Sequence, residues 1–274
     1  LFAITVAALG DNKEPDRAFG IAQAAQGVVM FAAFAAAPAL LEAWAVSGLY
    51  YMLAAAFIIM LPCVLRFPDS GIDHAELGAR GEVAKGSTAL IWLGLFASVL
   101  FFVNVFGLWT FIERIGLAAE LPANTIGLAL GAAQIFAMGG ALLAAIVSDR
   151  YGRVLPLLVV LVGQALVLWV LVGRFSSTTF FLAAGMFQAL FVMGVSYQMG
   201  AIAKIDVKGK YLVLMTAAQG LGTAFGPGIA ASLINEGDYS GVNMLAAACL
   251  LASTLLFLYI IYRSRNLAVS EHAA

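Results

Sequence analysis

An all-α polytopic membrane protein is the fold class this sequence predicts, and three observations predict it. Of its 274 residues, 63% are hydrophobic and only 11% are charged, with a mean hydropathy of +1.00. Soluble domains carry roughly a quarter of their residues as charges, because their surface must be wetted. Uncharged stretches of 20 or more residues recur at 19–41, 46–65, 88–112, 123–147, 154–173, 179–202, 211–234 and 241–262. Each spans a hydrocarbon core of about 30 Å as a helix rising about 1.5 Å per residue. Finally, all 29 Asp, Glu, Lys and Arg residues fall in the gaps between those stretches. A charge at the centre of a spanning helix costs about 2.5–3.5 kcal/mol on insertion scales, so such segregation is what a bilayer imposes. Apolar residues are spread around each segment without period-2 alternation, which excludes an outer-membrane barrel.

Taken in order, residues 1–9 (LFAITVAAL) read as the last turns of an earlier span, so the chain is expected to be part of a longer protein. The stretches 19–41 and 46–65 are parted by Glu42, and 66–87 is a Gly-rich, mixed-charge linker. Between 88–112 and 123–147 lie Glu113, Arg114 and Glu120; between 123–147 and 154–173 lies a turn of six residues, Ser148 to Arg153. Arg174 follows 154–173, and Lys204, Asp206, Lys208 and Lys210 precede 211–234. Glu236 and Asp238 precede the final span. The expected organisation is therefore 1–65 as one helical group, 66–87 as linker, 88–263 as a second group and 264–274 as tail.

Counting Lys and Arg in alternate gaps gives twelve on one side and two, Arg114 and Arg174, on the other. Basic residues concentrate in cytoplasmic loops, so the linker, the 148–153 turn and the C-terminus are expected in the cytoplasm, in a plasma (inner) membrane.

An internal correspondence crosses the linker. Arg17 and, after one intervening residue, FGIAQAAQG, ending at Gly27, match Lys210 and, after one intervening residue, LVLMTAAQG, ending at Gly220. The second copy lies six spans after the first, so both enter the membrane in the same direction, as in a parallel repeat of six-helix halves. Gln23 and Gln26 share a helix face, as do Thr216 and Gln219, with Thr223 one turn on. These stripes suit interhelical hydrogen bonds or the wall of a central aqueous cavity.

The turn Asp149-Arg150-Tyr151-Gly152-Arg153 resembles the loop signature of the major facilitator superfamily, in which Asp, a basic residue, Gly and further basic residues connect two spans. Asp149, Arg150, Gly152 and Arg153 match it; Ala145 stands where the family has glycine, and Val154 where another basic residue is frequent. The resemblance implies two pseudo-symmetric six-helix bundles, the first truncated, with 123–147 and 154–173 as the family's eighth and ninth helices. Gly222-x-x-x-Gly226-Pro227, followed by Ala230-Ala231, resembles the glycine-proline pattern of the fifth helix of family antiporters. Here it lies in the eleventh, while the fifth has Ala33-x-x-x-Ala37-Pro38. Close packing and a bend account for much of that pattern.

Physically the turn suits a conformational latch. Gly152 allows a backbone conformation that a β-carbon penalises. Asp149 can accept from Arg150 or Arg153 and can face the positive start of a neighbouring helix, which the family resemblance implies is the eleventh. By family resemblance the cavity is lined from the seventh helix by Asn104 and Trp109, and from the tenth by Gln188, Tyr197 and Gln198. No full charge lies within a span, and Glu113, one turn beyond Trp109, is the nearest candidate for a coupling acid. The function implied is secondary transport of a small organic solute by alternating access. A proton or other ion is the conceivable coupling partner, and a drug or metabolite efflux antiporter is an alternative within the same fold.

Enzymatic chemistry finds little footing. Cys63 and Cys249 lie in spans outside any metal or redox spacing, and His74 and His272 lie in the linker and the tail. The acid pairs Asp11/Glu14 and Asp69/Asp73 lack facing partners for a metal-diphosphate site. No cofactor, metal or nucleic-acid partner is expected; the bilayer is, around a monomer. A non-transporting receptor on the same fold is the remaining rival.

Overall fold

The computed structural model describes residues 5–6, 9–10, 14–64, 87–148, 150–206, 211–235 and 237–272. Among them run α1 (Pro15–Val64), α2 (Ser87–Trp109), α3 (Ile112–Ala118), α4 (Ala123–Val147), α5 (Val154–Val170), α6 (Ser177–Ile205), α7 (Leu214–Ala231) and α8 (Ser240–His272). Asp11, Asp69, Asp73, His74 and Asp149, together with most of the expected linker, lie outside the described residues.

Helix α1 holds two of the expected spans as two legs. Trp44 (φ −137°, ψ 17°) and Ala45 (φ 49°, ψ −145°) leave helical geometry, and a β-carbon on Gly48 would collide with the Leu40 carbonyl oxygen. The chain therefore folds back sharply between the legs, where Glu42 marks the gap in sequence. The second leg turns its apolar side chains outward: Tyr50, Phe57, Ile58 and Ile59 are all exposed. In water this would be a liability; against lipid it is the expected surface.

Helix α2 stops earlier than its apolar run. The Thr110 hydroxyl and its N–H both bond the Phe106 carbonyl, at 2.8 and 3.2 Å, and Phe111 N–H bonds Leu108 at 2.9 Å. The ladder tightens, and a new short helix, α3, begins at Ile112. Glu113 consequently does not continue the Trp109 face of one helix. It stands exposed in the first turn of α3, a correction to the sequence expectation that traces to a hydroxyl competing for a backbone carbonyl.

Small residues set the closest helix contacts. Ala129, Ala133, Ala137, Gly140, Ala141 and Ala144 of α4 are buried, and a β-carbon on Gly140 would strike the Ala189 backbone of α6. On α7, a β-carbon on Gly222 would come within 2.5 Å of Phe102 Cβ and 2.6 Å of the Val99 carbonyl oxygen of α2. Gly226 faces Val103 and Gly107 in the same way. Without a hydrophobic drive between helices in lipid, this close backbone approach is what holds them. Pro227 sits inside α7. The C-terminal segment assigned to a tail is helical as far as His272, continuing α8.

The first leg of α1 runs antiparallel to α4, with Gly20 against Ala141 and Ala145 and Gly27 against Met138. The turns sort to two ends. At one end Gly10 meets Leu212, so α1 and α7 start on the same side, as the repeat requires. At the other, the 115–119, 171–174 and 237–243 segments surround a cavity of about 280 Å³. Asp238 caps α8 there, accepting the Ser240 hydroxyl at 2.7 Å and the Ser240 N–H at 2.9 Å. Those two bonds hold its carboxyl below the usual carboxylate range.

Candidate functional site: a buried seam between α1, α4 and α6

At the end shared by the α1 and α7 starts, the chain leaves α4 through strained backbone. Ser148, the residue that ends the helix, has φ 41° and ψ −132°, and Gly152 has φ 68°. The second conformation is the one that only glycine adopts cheaply. Ser148 is buried, and its carbonyl accepts the Tyr197 hydroxyl of α6 at 3.1 Å. Tyr197 was expected on a cavity wall; it is fully buried, and its hydroxyl pins the turn instead.

Arg153, the last residue of the turn, does not point to water. It is 7% exposed, and its guanidinium grips Asp16, 0% exposed, in a two-pronged ion pair. Nε donates to Oδ1 at 3.0 Å, and Nη2 donates to Oδ2. Gly200 of α6 closes the pair from behind, since a β-carbon there would overlap Asp16 Oδ1. One carboxylate at the start of α1, one arginine from the α4–α5 turn and one bare backbone on α6 thus form a single packed unit. Sequence reasoning singled out Arg153 but missed both Asp16 and Gly200. Asp16 stands 137 residues from its partner and looked like one more loop charge. Nothing in the local pattern marks it.

The other signature residues fall differently. Arg150 is exposed, and Asp149 lies outside the described residues. Among the described residues, Asp206 supplies a carboxylate at the α7 start, accepting the Tyr211 and Leu212 N–H groups at 2.6 Å each.

Toward the middle of the helices, the expected cavity residues are largely enclosed. Asn104 Nδ2 donates to Gln164 Oε1 of α5 at 2.9 Å, both residues 0% exposed. Ser98 donates to the Gly94 carbonyl at 3.0 Å and lies 3.5 Å from Gln198 Oε1 and 3.4 Å from Met215 Sδ. Gln188 and Gln219 are buried as well; Gln23, Thr216 and Thr223 are half-buried, and Gln26 is exposed. Thr223 spends its hydroxyl on the Gln219 carbonyl at 2.9 Å. The Thr216 hydroxyl and the Gln219 amide nitrogen are buried with no hydrogen-bond partner among the described residues.

An aromatic wall, of which only Trp109 was expected from sequence, joins α2 to α6. Trp109 stacks on Phe187 with centroids 6.5 Å apart and planes 3° from parallel. Phe191 lies 5.5 Å from Phe102 and 6.1 Å from Phe106, both edge-on. Residues 102, 106 and 109 follow the i, i+4, i+7 spacing of one helix face, a signal legible in retrospect. On the opposite end, Arg174 and Glu120 pair at 2.7 Å while largely exposed, a contact of little energetic consequence. Glu14 is likewise exposed and pairs with Arg17 at 3.5 Å. Among the described residues no group of three His, Cys, Asp or Glu could hold a metal ion.

The chain matches the family model Major Facilitator Superfamily over residues 1–172 and again over 91–273. Together these stretches cover nearly the whole chain. It belongs to the major facilitator superfamily. The protein is therefore a multi-pass membrane transporter of that family, and its cargo is a small-molecule solute. No curated protein matches the chain. Within the family frame, the seam gathers residues from both sides of the 65–86 segment: Asp16 before it, Arg153, Tyr197 and Gly200 after it.

Proposed function

We propose that the protein is a secondary transporter working by alternating access, with the Asp16–Arg153 seam closing its cytoplasmic side. The observation that carries this reading is a buried ion pair joining an N-terminal helix to the signature turn. A pair of this kind is a poor device for simple stability, because taking two charges out of water offsets much of their attraction. It is a good device for holding one of two states, since removing either partner leaves the other charge buried and costs about 3–5 kcal/mol. Closure therefore depends on a contact that must be released as the two halves, 1–65 and 88–263, rock apart. The excess of Lys and Arg in alternate gaps supports setting that contact on the cytoplasmic face of a plasma membrane.

The solute site lies deeper, on the Trp109–Phe187–Phe191–Phe106 wall and the amides beside it. A wall of aromatic faces with neutral hydrogen-bonding groups and no charge suits an uncharged, planar, amphipathic organic molecule. Efflux of such a compound fits the same surface. Glu113, exposed on α3, is not proposed as the coupling acid.

Flux of candidate aromatic solutes into proteoliposomes holding the full-length protein tests the assignment. Phe191→Ala should raise the half-saturating concentration about three- to tenfold, the worth of one aromatic contact, with normal membrane insertion. Unchanged kinetics in that variant would remove the aromatic wall from the site.

A further inference from the structure

We infer that the cytoplasmic end of the α1–α4 crevice binds an anionic phospholipid of the surrounding leaflet, and that this lipid braces the closed seam. The inference rests on the orientation and seam proposed above. A cleft of about 620 Å³ opens there, lined by Glu14, Arg17, Ile21, Leu142, Ile146 and Arg150 among others. Its chemistry changes along its length. The apolar walls Ile21, Leu142 and Ile146 are each about half exposed, at 52%, 48% and 61%, and lie on helices that cross the membrane. The two arginines sit at its mouth, both exposed. Glu14 shares that mouth, but its contact with Arg17 is a loose 3.5 Å surface pair that a phosphate could replace.

A second observation points to a ligand. Ser148 also lines the cleft; it is 7% exposed, yet its hydroxyl has no hydrogen-bond partner among the described residues. Buried hydroxyls seldom stay unmade. Two guanidiniums and a hydroxyl at the membrane boundary, above apolar walls, form a receptor for a phosphate bearing acyl chains rather than for a free anion, which would leave the apolar walls bare. The walls come from α1 on one side and from α4 with its turn on the other. A lipid seated there bridges the two elements that carry the Asp16–Arg153 contact, the start of α1 and the end of α4 with its turn, and favours the closed arrangement.

Three arms test this on the full-length protein in detergent: phosphatidylglycerol, phosphatidylcholine and inorganic phosphate, each titrated while thermal unfolding is followed. The expected result is a preference for phosphatidylglycerol over phosphatidylcholine on the order of tenfold, no effect of phosphate, and loss of the preference in Arg17→Gln/Arg150→Gln. Should that variant fold poorly, Leu142→Trp in the parent supplies a local readout, quenched more strongly by brominated phosphatidylglycerol than by brominated phosphatidylcholine. Equal responses to the two lipids, or equal quenching, would overturn the proposal, and so would stabilisation by inorganic phosphate alone. Lipid preference retained while Asp16→Asn transports at the parental rate would keep this lipid site and overturn the seam as the gate.

Discussion

Gly200 carries the sharpest consequence of the geometry at the scale of single residues. Its missing side chain is the space that Asp16 Oδ1 occupies, so Gly200→Ala pushes the carboxylate out of the Arg153 fork without touching any charge. The expected outcome is a protein that inserts normally but closes its cytoplasmic side less often, read as faster labelling of a seam cysteine. Alanine is a better helix former than glycine, so a purely local account predicts the opposite, slight stabilisation. Gly152 was legible at this scale, because a six-residue reversal between spans demands a positive φ somewhere. The partner of Arg153 was not. An ion pair across 137 positions depends on which helices become neighbours, and that information is spread over every packing contact between them.

Charge segregation fixed where the helices are, and the structure keeps those positions, down to the fold-back at Trp44 and Ala45 beside Glu42. It could not fix where a helix stops when a side chain intervenes, which is why Glu113 lost its place beyond Trp109. Nor could helical periodicity say which polar residues would face one another. Asn104 reads as a cavity residue, yet it spends its amide on Gln164 of a neighbouring helix. Element pairing supplies its own prediction. A β-carbon on Gly27 would lie 3.8 Å from Met138 Cβ, the separation typical of a disulfide. Gly27→Cys/Met138→Cys, with Cys63 and Cys249 replaced by serine, should therefore cross-link under mild oxidation. The bond ties α1 to α4, so flux should fall at least about tenfold and return on reduction. A cross-linked protein that transports at the unlinked rate would show that these helices do not part during the cycle.

Over the whole molecule, α1 and α7 begin at one end, the buried ion pair sits at that end, and the aromatic wall lies between the ends. That layout fits the proposed gate lying apart from the proposed solute site. The most direct test of that gate places a single cysteine at Ala141, 0% exposed beside Gly20, in a full-length background without Cys63 and Cys249. Labelling by an impermeant maleimide is then followed in inside-out and right-side-out vesicles. Labelling should be slow in the parent and rise on the order of a hundredfold in Asp16→Asn or Arg153→Gln, from the loss of about 3 kcal/mol of closure. That increase should appear in inside-out vesicles alone, and the exchanged pair Asp16→Arg/Arg153→Asp should reverse much of it. Single variants that label at the parental rate, or an increase seen only from the outer face, would contradict the gate.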